Sequence, residues 1–149
     1  MRALVICAVL VGGLWQSDMI GRDALAHEGA TGIIKERMDN FSAARSYMKA
    51  MRGAVGANDF AKIDEITSKM MPWAETMGDF FPEGSDKSPS EAAPTIWSDR
   101  AGFEMKITAY AEAIQALNAA ALSQDSAATT SAFRALGASC KSCHQGYRK

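Results

Sequence analysis

Two cysteines three residues apart, with a histidine directly behind the second, stand near the carboxyl end: Cys140-Lys141-Ser142-Cys143-His144, then Gln145-Gly146-Tyr147-Arg148. These residue types at this spacing can do one distinctive piece of chemistry. Each thiol can add to a porphyrin vinyl group to give a thioether, while the imidazole binds iron. A helix supplies the geometry, because residues i and i+3 share a face and the next side chain points its ring beneath the metal. Covalent attachment of a c-type haem is the first expectation.

At the level of the motif three other uses stay open. A CxxC pair can be a thiol redox centre, a chemistry that favours a strand-helix-strand setting, and no convincing strand pattern is present. It can be half of a zinc site, but outside the motif the chain offers only His27 and Cys7, too few soft ligands for a closed tetrahedral shell. It can also be a plain structural disulfide.

The elements that must position the motif come next. A chain of 149 residues suffices for one domain with one core, and its 48% apolar content suits a globular fold. A net charge of −1 excludes the strong basic footprint of a nucleic-acid binder. Lys141, Arg148 and Lys149 form a small basic cluster beside the motif, where cations suit the negative end of a helix dipole.

The amino terminus reads as a secretory signal over residues 1–26. Arg2 gives the positive start, Ala3 to Trp15 an uncharged apolar run, and Ala24-Leu25-Ala26 a small-x-small cleavage pattern that would leave a mature domain from His27 to Lys149. The run is too short to span a membrane, so no stable membrane insertion is expected after cleavage, with an uncleaved anchor as the alternative. After cleavage Cys140 and Cys143 are the only cysteines left, although export leads to a compartment where small domains use disulfides freely. Export and the haem motif agree, since c-type haem is attached after secretion in bacteria.

Four helices follow from the apolar periodicity. The first spans about Thr31 to Ala57, with Ile34, Met38, Phe41, Met48, Met51 and Val55 near one stripe and Gly53, Gly56 and Asn58 closing it. The second has Asn58 as its N-cap and carries Phe60, Ile63, Ile66 and Met70 inward. Pro72 is expected to bend or interrupt it, with a short continuation from Trp73 to Phe81. Pro82 to Pro94 reads as a loop inside one domain. A third helix covers Thr95 to Leu122, and a fourth, after Ser123-Gln124-Asp125, puts Phe133, Leu136, Cys140, Cys143 and Tyr147 on one broad face. The expected fold is all-α, an antiparallel four-helix bundle with the haem attached to the last helix and sandwiched against the first.

A carboxyl-terminal CxxCH followed by an aromatic and an arginine, on the last of four helices, resembles the class II c-type cytochromes, the cytochrome c prime family. Further similarities are Ile33-Ile34-Lys35-Glu36-Arg37 at the opening of helix one, Phe81-Pro82-Glu83-Gly84-Ser85 in the middle loop, and Ile96-Trp97 with Phe103 in helix three. The resemblance implies one haem c with thioethers to Cys140 and Cys143, His144 as proximal iron ligand, Arg148 near the haem or its propionates, and Tyr147 beside the haem or in the core. It also brings Arg37, and the residue four after it, Phe41, to the cofactor. Phe41 on the distal side implies five-coordinate iron beneath a phenyl ring. Met38, one turn earlier, is the alternative: its sulfur would give a six-coordinate, low-spin centre.

The function implied is that of a non-enzymatic periplasmic electron carrier serving redox proteins of that compartment. The alternative is a protein that binds or buffers small gases such as NO or CO. Nucleic acid is not among the expected partners. A homodimer through helices one and two is permitted.

Overall fold

A computed structural model describes residues 29–149, and there the periodicity becomes four long helices: α1 (Gly32–Ala57), α2 (Phe60–Thr76), α3 (Arg100–Leu122) and α4 (Ser126–Tyr147). The expected signal, with Cys7 and His27, lies outside the described residues. Short links join α1 to α2 and α3 to α4, which makes each pair antiparallel. The bundle is all-α as expected; among the described residues a single antiparallel bridge, Ala92 to Arg148, is the one β feature. No helix among these residues is long and apolar enough to cross a membrane.

Helix boundaries correct four expectations. Asn58 alone closes α1: it takes the left-handed conformation (φ 54°) and its N–H reaches the carbonyls of Ala54 and Val55. Gly53 and Gly56 stay inside the helix, because one left-handed residue is enough to end it. The N-cap of α2 is therefore Asp59, not Asn58, and its carboxylate accepts from the Lys62 N–H at 3.0 Å. Pro72 does not interrupt α2, which runs on to Thr76 before tightening into a 3₁₀ turn, Met77–Phe80. The proline is exposed, so its missing N–H costs a hydrogen bond only on the solvent side.

The third helix is split. Thr95–Ser98 is a single separate turn, and Asp99 (φ −129°, ψ 57°) breaks the chain direction before α3 begins. Its side chain explains the break, since Oδ1 accepts from the Gly102 N–H at 3.2 Å while Oδ2 accepts from the Tyr147 hydroxyl at 2.6 Å. Gly102 is required there. A Cβ at that position would lie 2.5 Å from the Tyr147 hydroxyl and closer still to the Asp99 carboxylate.

Met51, Ile63, Met70, Ile96, Phe103, Ile114, Leu117 and Leu136 form the fully buried centre. At the end of the bundle that carries the motif the core becomes aromatic. Edge-to-face contacts run from Tyr147 to Phe103 (5.3 Å), Phe103 to Phe81 (4.9 Å), Phe81 to Phe41 (6.3 Å), Phe41 to Trp73 (5.3 Å) and Trp73 to Phe80 (5.1 Å). This chain of rings links the last turn of α4 to α1.

Arg37 is buried, only 3% exposed, and its guanidinium holds the loop behind the 3₁₀ turn. It donates to the Phe80 carbonyl (2.9 Å), Ser85 Oγ (3.0 Å), the Ser85 carbonyl (2.7 Å) and Ser90 Oγ (2.7 Å), and lies 4.4 Å over the Phe81 ring. All four acceptors are neutral oxygens. Burial lowers its pKa from the ordinary arginine value.

Two outcomes follow from these contacts. Arg37→Leu should lower stability by about 2–3 kcal/mol, since it strands buried carbonyls and hydroxyls, and amide exchange at residues 85–90 should accelerate. Arg37→Lys should recover only part of both, because one ammonium cannot fork across Ser85 and Ser90. The Tyr147 phenol is pushed up to about 12, first by its hydrogen bond to Asp99 and then by burial. The folded protein therefore keeps a proton that the unfolded chain releases, so stability should fall as pH rises from about 10 to 12 and be unaffected by this group below that window. In Tyr147→Phe the alkaline loss should be smaller and the neutral-pH melting temperature lower.

Candidate functional site

Cys140 and Cys143 are one turn apart on α4, both free and both half-buried against the core. Asp125 starts this helix by accepting from the Ala128 N–H at 2.9 Å, and Leu136 and Tyr147, both buried, seat it on the bundle. Beyond the helix the tail is strapped down. The Tyr147 carbonyl accepts from the Ala93 N–H (3.0 Å), the Lys149 N–H donates to the Glu91 carbonyl (2.8 Å), and Thr95 Oγ1 donates to the Gly146 carbonyl (2.6 Å).

The electrostatics of the thiols bear on the competing uses of the motif. Burial raises both pKa values; at Cys143 the neighbouring Cys140 adds to the rise and Lys106 opposes it. Both cysteines also sit near the carboxyl end of α4, where the helix dipole disfavours a thiolate. Exchange-active cysteines need the opposite environment. His144 is exposed, and its pKa is lowered by desolvation and by Arg148, with Glu91 opposing. A lowered value favours the neutral imidazole, the form that ligates iron.

Across the bundle, α1 presents the half-buried Met38, Phe41, Ala44, Tyr47 and Met48. Of the neighbouring helix pairs, α1 and α4 touch each other least, while α3–α4, α2–α3 and α1–α2 pack along their lengths. A cleft of about 80 Å³ among α1, α2 and α3 is lined by Asn40, Ala44, Tyr47, Lys69, Trp73 and Tyr110 among others. Two buried polar atoms there, Trp73 Nε1 and Tyr110 Oη, have no hydrogen-bond partner. Tyr110 is also close enough to Cys140 to feel its charge. Two thiols at i and i+3, an adjacent imidazole, the half-buried side chains of α1 and two orphaned donors fit a haem: the residues able to hold it are Cys140, Cys143 and His144 on α4, with Phe41 and Met38 on α1.

The structure gives both expected arginines protein partners, and Arg148 lies one turn beyond His144, whose carbonyl accepts from its N–H at 3.3 Å. Arg37 spends its guanidinium on the loop, because Ser85, Ser90 and the Phe80 carbonyl offer it fixed acceptors. Arg148 is exposed and ion-paired to Glu91, its Nε at 2.6 Å from the carboxylate. Tyr147 resolves to the core, on Phe103 and Asp99. Sequence reasoning missed Lys106, whose Nζ donates to Ser142 Oγ, between the two cysteines, at 2.8 Å. It also missed Trp73 and Tyr110. No local signal marks these three; each acts across helices.

Comparison with known proteins places the chain among haem proteins of one family. A family model described as Cytochrome C' matches residues 32–148. Over 85 residues the chain is 44% identical to cytochrome c' from Alcaligenes xylosoxydans xylosoxydans, a match covering 56% of this chain and 60% of that relative, so it spans less than two thirds of that relative's length. Cytochrome c-556 from Agrobacterium tumefaciens (strain II Chrys) is 42% identical over 112 residues, covering 68% of this chain and 89% of the relative. Among solved structures, a nitric oxide complex of a mutant cytochrome c prime from Alcaligenes xylosoxidans superposes with a TM-score of 0.71 at 32% identity, over 78% of this chain and 93% of that one.

Replacing both Cys140 and Cys143 with alanine should leave the haem extractable by acidified organic solvent, whereas the wild-type protein retains it. Haem that stays covalently bound in the double variant would show attachment elsewhere. His144→Ala with both cysteines intact should keep the haem covalent but change its spectrum.

Proposed function

The chain belongs to the cytochrome c' family and carries one covalently attached haem c, and from that premise we propose that it is a periplasmic electron carrier with His144 as protein ligand of a five-coordinate iron and Phe41 across from it. When bound, the haem supplies a one-electron Fe(III)/Fe(II) couple. No substrate is turned over. The part of the chain is to hold the group covalently through Cys140 and Cys143, to offer a neutral imidazole from His144, and to wall the opposite side with apolar side chains.

The observation that carries the coordination reading is the Arg37 latch. Met38 would serve as second ligand if α1 slid by about one turn, some 5 Å. Such a slide would pull the buried guanidinium from four oxygens, and hydrogen bonds to a charged group contribute about 1.5–3 kcal/mol each. Arg37 and Phe41 lie one turn apart and both rest on Phe81, so the register that buries one also sets the other. A phenyl ring has no lone pair to donate. A rigid wall around the cofactor also keeps reorganisation small when an electron arrives or leaves.

A second reading shares the same pocket. A five-coordinate iron beneath Phe41 could bind small uncharged gases such as NO or CO, and the nitric oxide complex of a relative with this fold favours keeping that reading beside the first. Periplasmic location and a mature start at His27 belong to the proposal, on the apolar run from Ala3 to Trp15 and the Ala24-Leu25-Ala26 pattern. So do redox proteins of the same compartment as partners, and pairing of two copies through α1 and α2.

The resting spectrum tests the coordination. High-spin iron that shifts on adding NO is expected. A low-spin spectrum with a methionine-to-iron charge-transfer band, abolished by Met38→Leu, would sink the Phe41 assignment. Phe41→Met should convert the high-spin protein towards low spin.

A further inference from the structure

Residues 126–149 hold four cations, Arg134, Lys141, Arg148 and Lys149, and no acid, although the whole chain carries 16 Lys and Arg against 17 Asp and Glu. The excess of acid therefore lies on the other helices and loops, and α4 is the cationic side of an otherwise acidic molecule. The structure then separates the four. Arg148 is neutralised by Glu91, and the Lys149 ammonium donates to the Asp86 carbonyl at 3.1 Å. Arg134 and Lys141 are exposed and make no ion pair or hydrogen bond among the described residues. They are seven residues apart, two turns and about 10 Å along one face of α4. Lys106 reaches across from α3 and fixes a third ammonium on Ser142 at 2.8 Å.

The location of this charge matters as much as its sign. Lys141 sits between Cys140 and Cys143, so the covalent path from either thioether to the surface of α4 is one or two residues long and ends beneath it. We propose that the acid-free face of α4, centred on Lys141 with Arg134 and Lys106, is the docking face through which this protein exchanges electrons with an acidic redox protein. The proposal rests on the electron-carrier reading above. Its partner is chosen by charge complementarity. A protein with carboxylates around its own redox centre would be drawn to this face and oriented by it, while the remaining, acidic surface repels other approaches.

The salt dependence of electron exchange distinguishes a local patch from the net charge. Reoxidation of the reduced holoprotein is followed by stopped flow with hexacyanoferrate(III), a small trianion that takes one electron and leaves as hexacyanoferrate(II), and with a neutral cobalt(III) chelate reduced to cobalt(II). From 0.01 to 0.15 M ionic strength the Debye length contracts from about 30 to about 8 Å. Over that range the wild-type rate with the anion should fall about threefold or more, and the rate with the neutral chelate should stay constant. Arg134→Glu with Lys141→Glu should reverse the slope for the anion and leave the neutral rate unchanged. Lys49→Glu with Arg52→Glu makes the same change in net charge at the far end of α1, and should keep the wild-type slope. Equal slopes in the two double variants, or a wild-type rate that rises with salt as the net negative charge dictates, would overturn the docking face. So would wild-type slopes in Arg134→Glu/Lys141→Glu combined with loss of its sedimentation with phosphatidylglycerol vesicles, which would assign the patch to an anionic membrane surface. No reaction with the cobalt chelate in any variant would instead overturn the carrier reading itself.

Discussion

A guanidinium buried without a carboxylate is the constraint on which the functional end of this bundle depends. Taking a cation out of water is costly unless hydrogen bonds replace its hydration, and Arg37 meets that demand with two serine hydroxyls and two backbone carbonyls from residues 80–90. The acceptors are neutral, so the arrangement works only while each oxygen stays in place. The loop is therefore ordered by a residue of α1, and α1 is held in rotation and height by the loop. Because Phe81 lies under the guanidinium and against Phe41, the same latch fixes which side chain of α1 looks into the site.

The other side of the site is fixed by a different device. Asp99 ends one helical turn, caps α3 and accepts from the Tyr147 hydroxyl, so a single carboxylate ties the start of α3 to the last turn of the helix that bears Cys140, Cys143 and His144. Gly102 leaves the room that this knot needs. Glu91, Ala93 and Thr95 then hold the tail from outside. Arg37 and Tyr147 are thus equivalent in role on opposite walls, each a polar group that locks a helix end by bonds to a segment distant in sequence.

This difference in sequence distance explains what could be read before the fold was known. Helical periodicity is local, so α1, α2, α3 and α4 were legible, as were the face shared by Leu136, Cys140, Cys143 and Tyr147 and the chemistry of the Cys140 to His144 motif. Caps were harder, because Asn58 and Asp59 are both good end residues and only the backbone conformation decides which one closes α1 and which one opens α2. The split at Asp99 was missed since apolar spacing runs straight through it, whereas the carboxylate's preference for the Gly102 N–H and the Tyr147 hydroxyl breaks the helix. The resemblance brings Arg37 and Arg148 to the cofactor but says nothing of their protein partners. Their acceptors, 43 to 57 residues away in sequence, leave no mark in the local pattern.

The aromatic chain gives the two functional readings a common physical basis. Phe41 touches Trp73 on one side and Phe81 on the other, Phe81 touches Phe103, and Phe103 touches Tyr147 at the end of α4. In the proposed five-coordinate arrangement an incoming ligand would have to displace Phe41, and close-packed rings transmit such a displacement instead of absorbing it. Movement of Phe41 would therefore be felt at Phe81, hence at the Arg37 latch, and at Tyr147, hence at the helix that carries His144. For electron exchange this coupling is favourable as it stands, because both walls resist change when the charge on the cofactor changes. For gas binding it acts as a gate, since entry would be opposed by the latch and the Asp99 knot together. Rigidity set by Arg37 and Tyr147 thus bears on both proposed activities: it suits electron exchange and would oppose the entry of a small ligand.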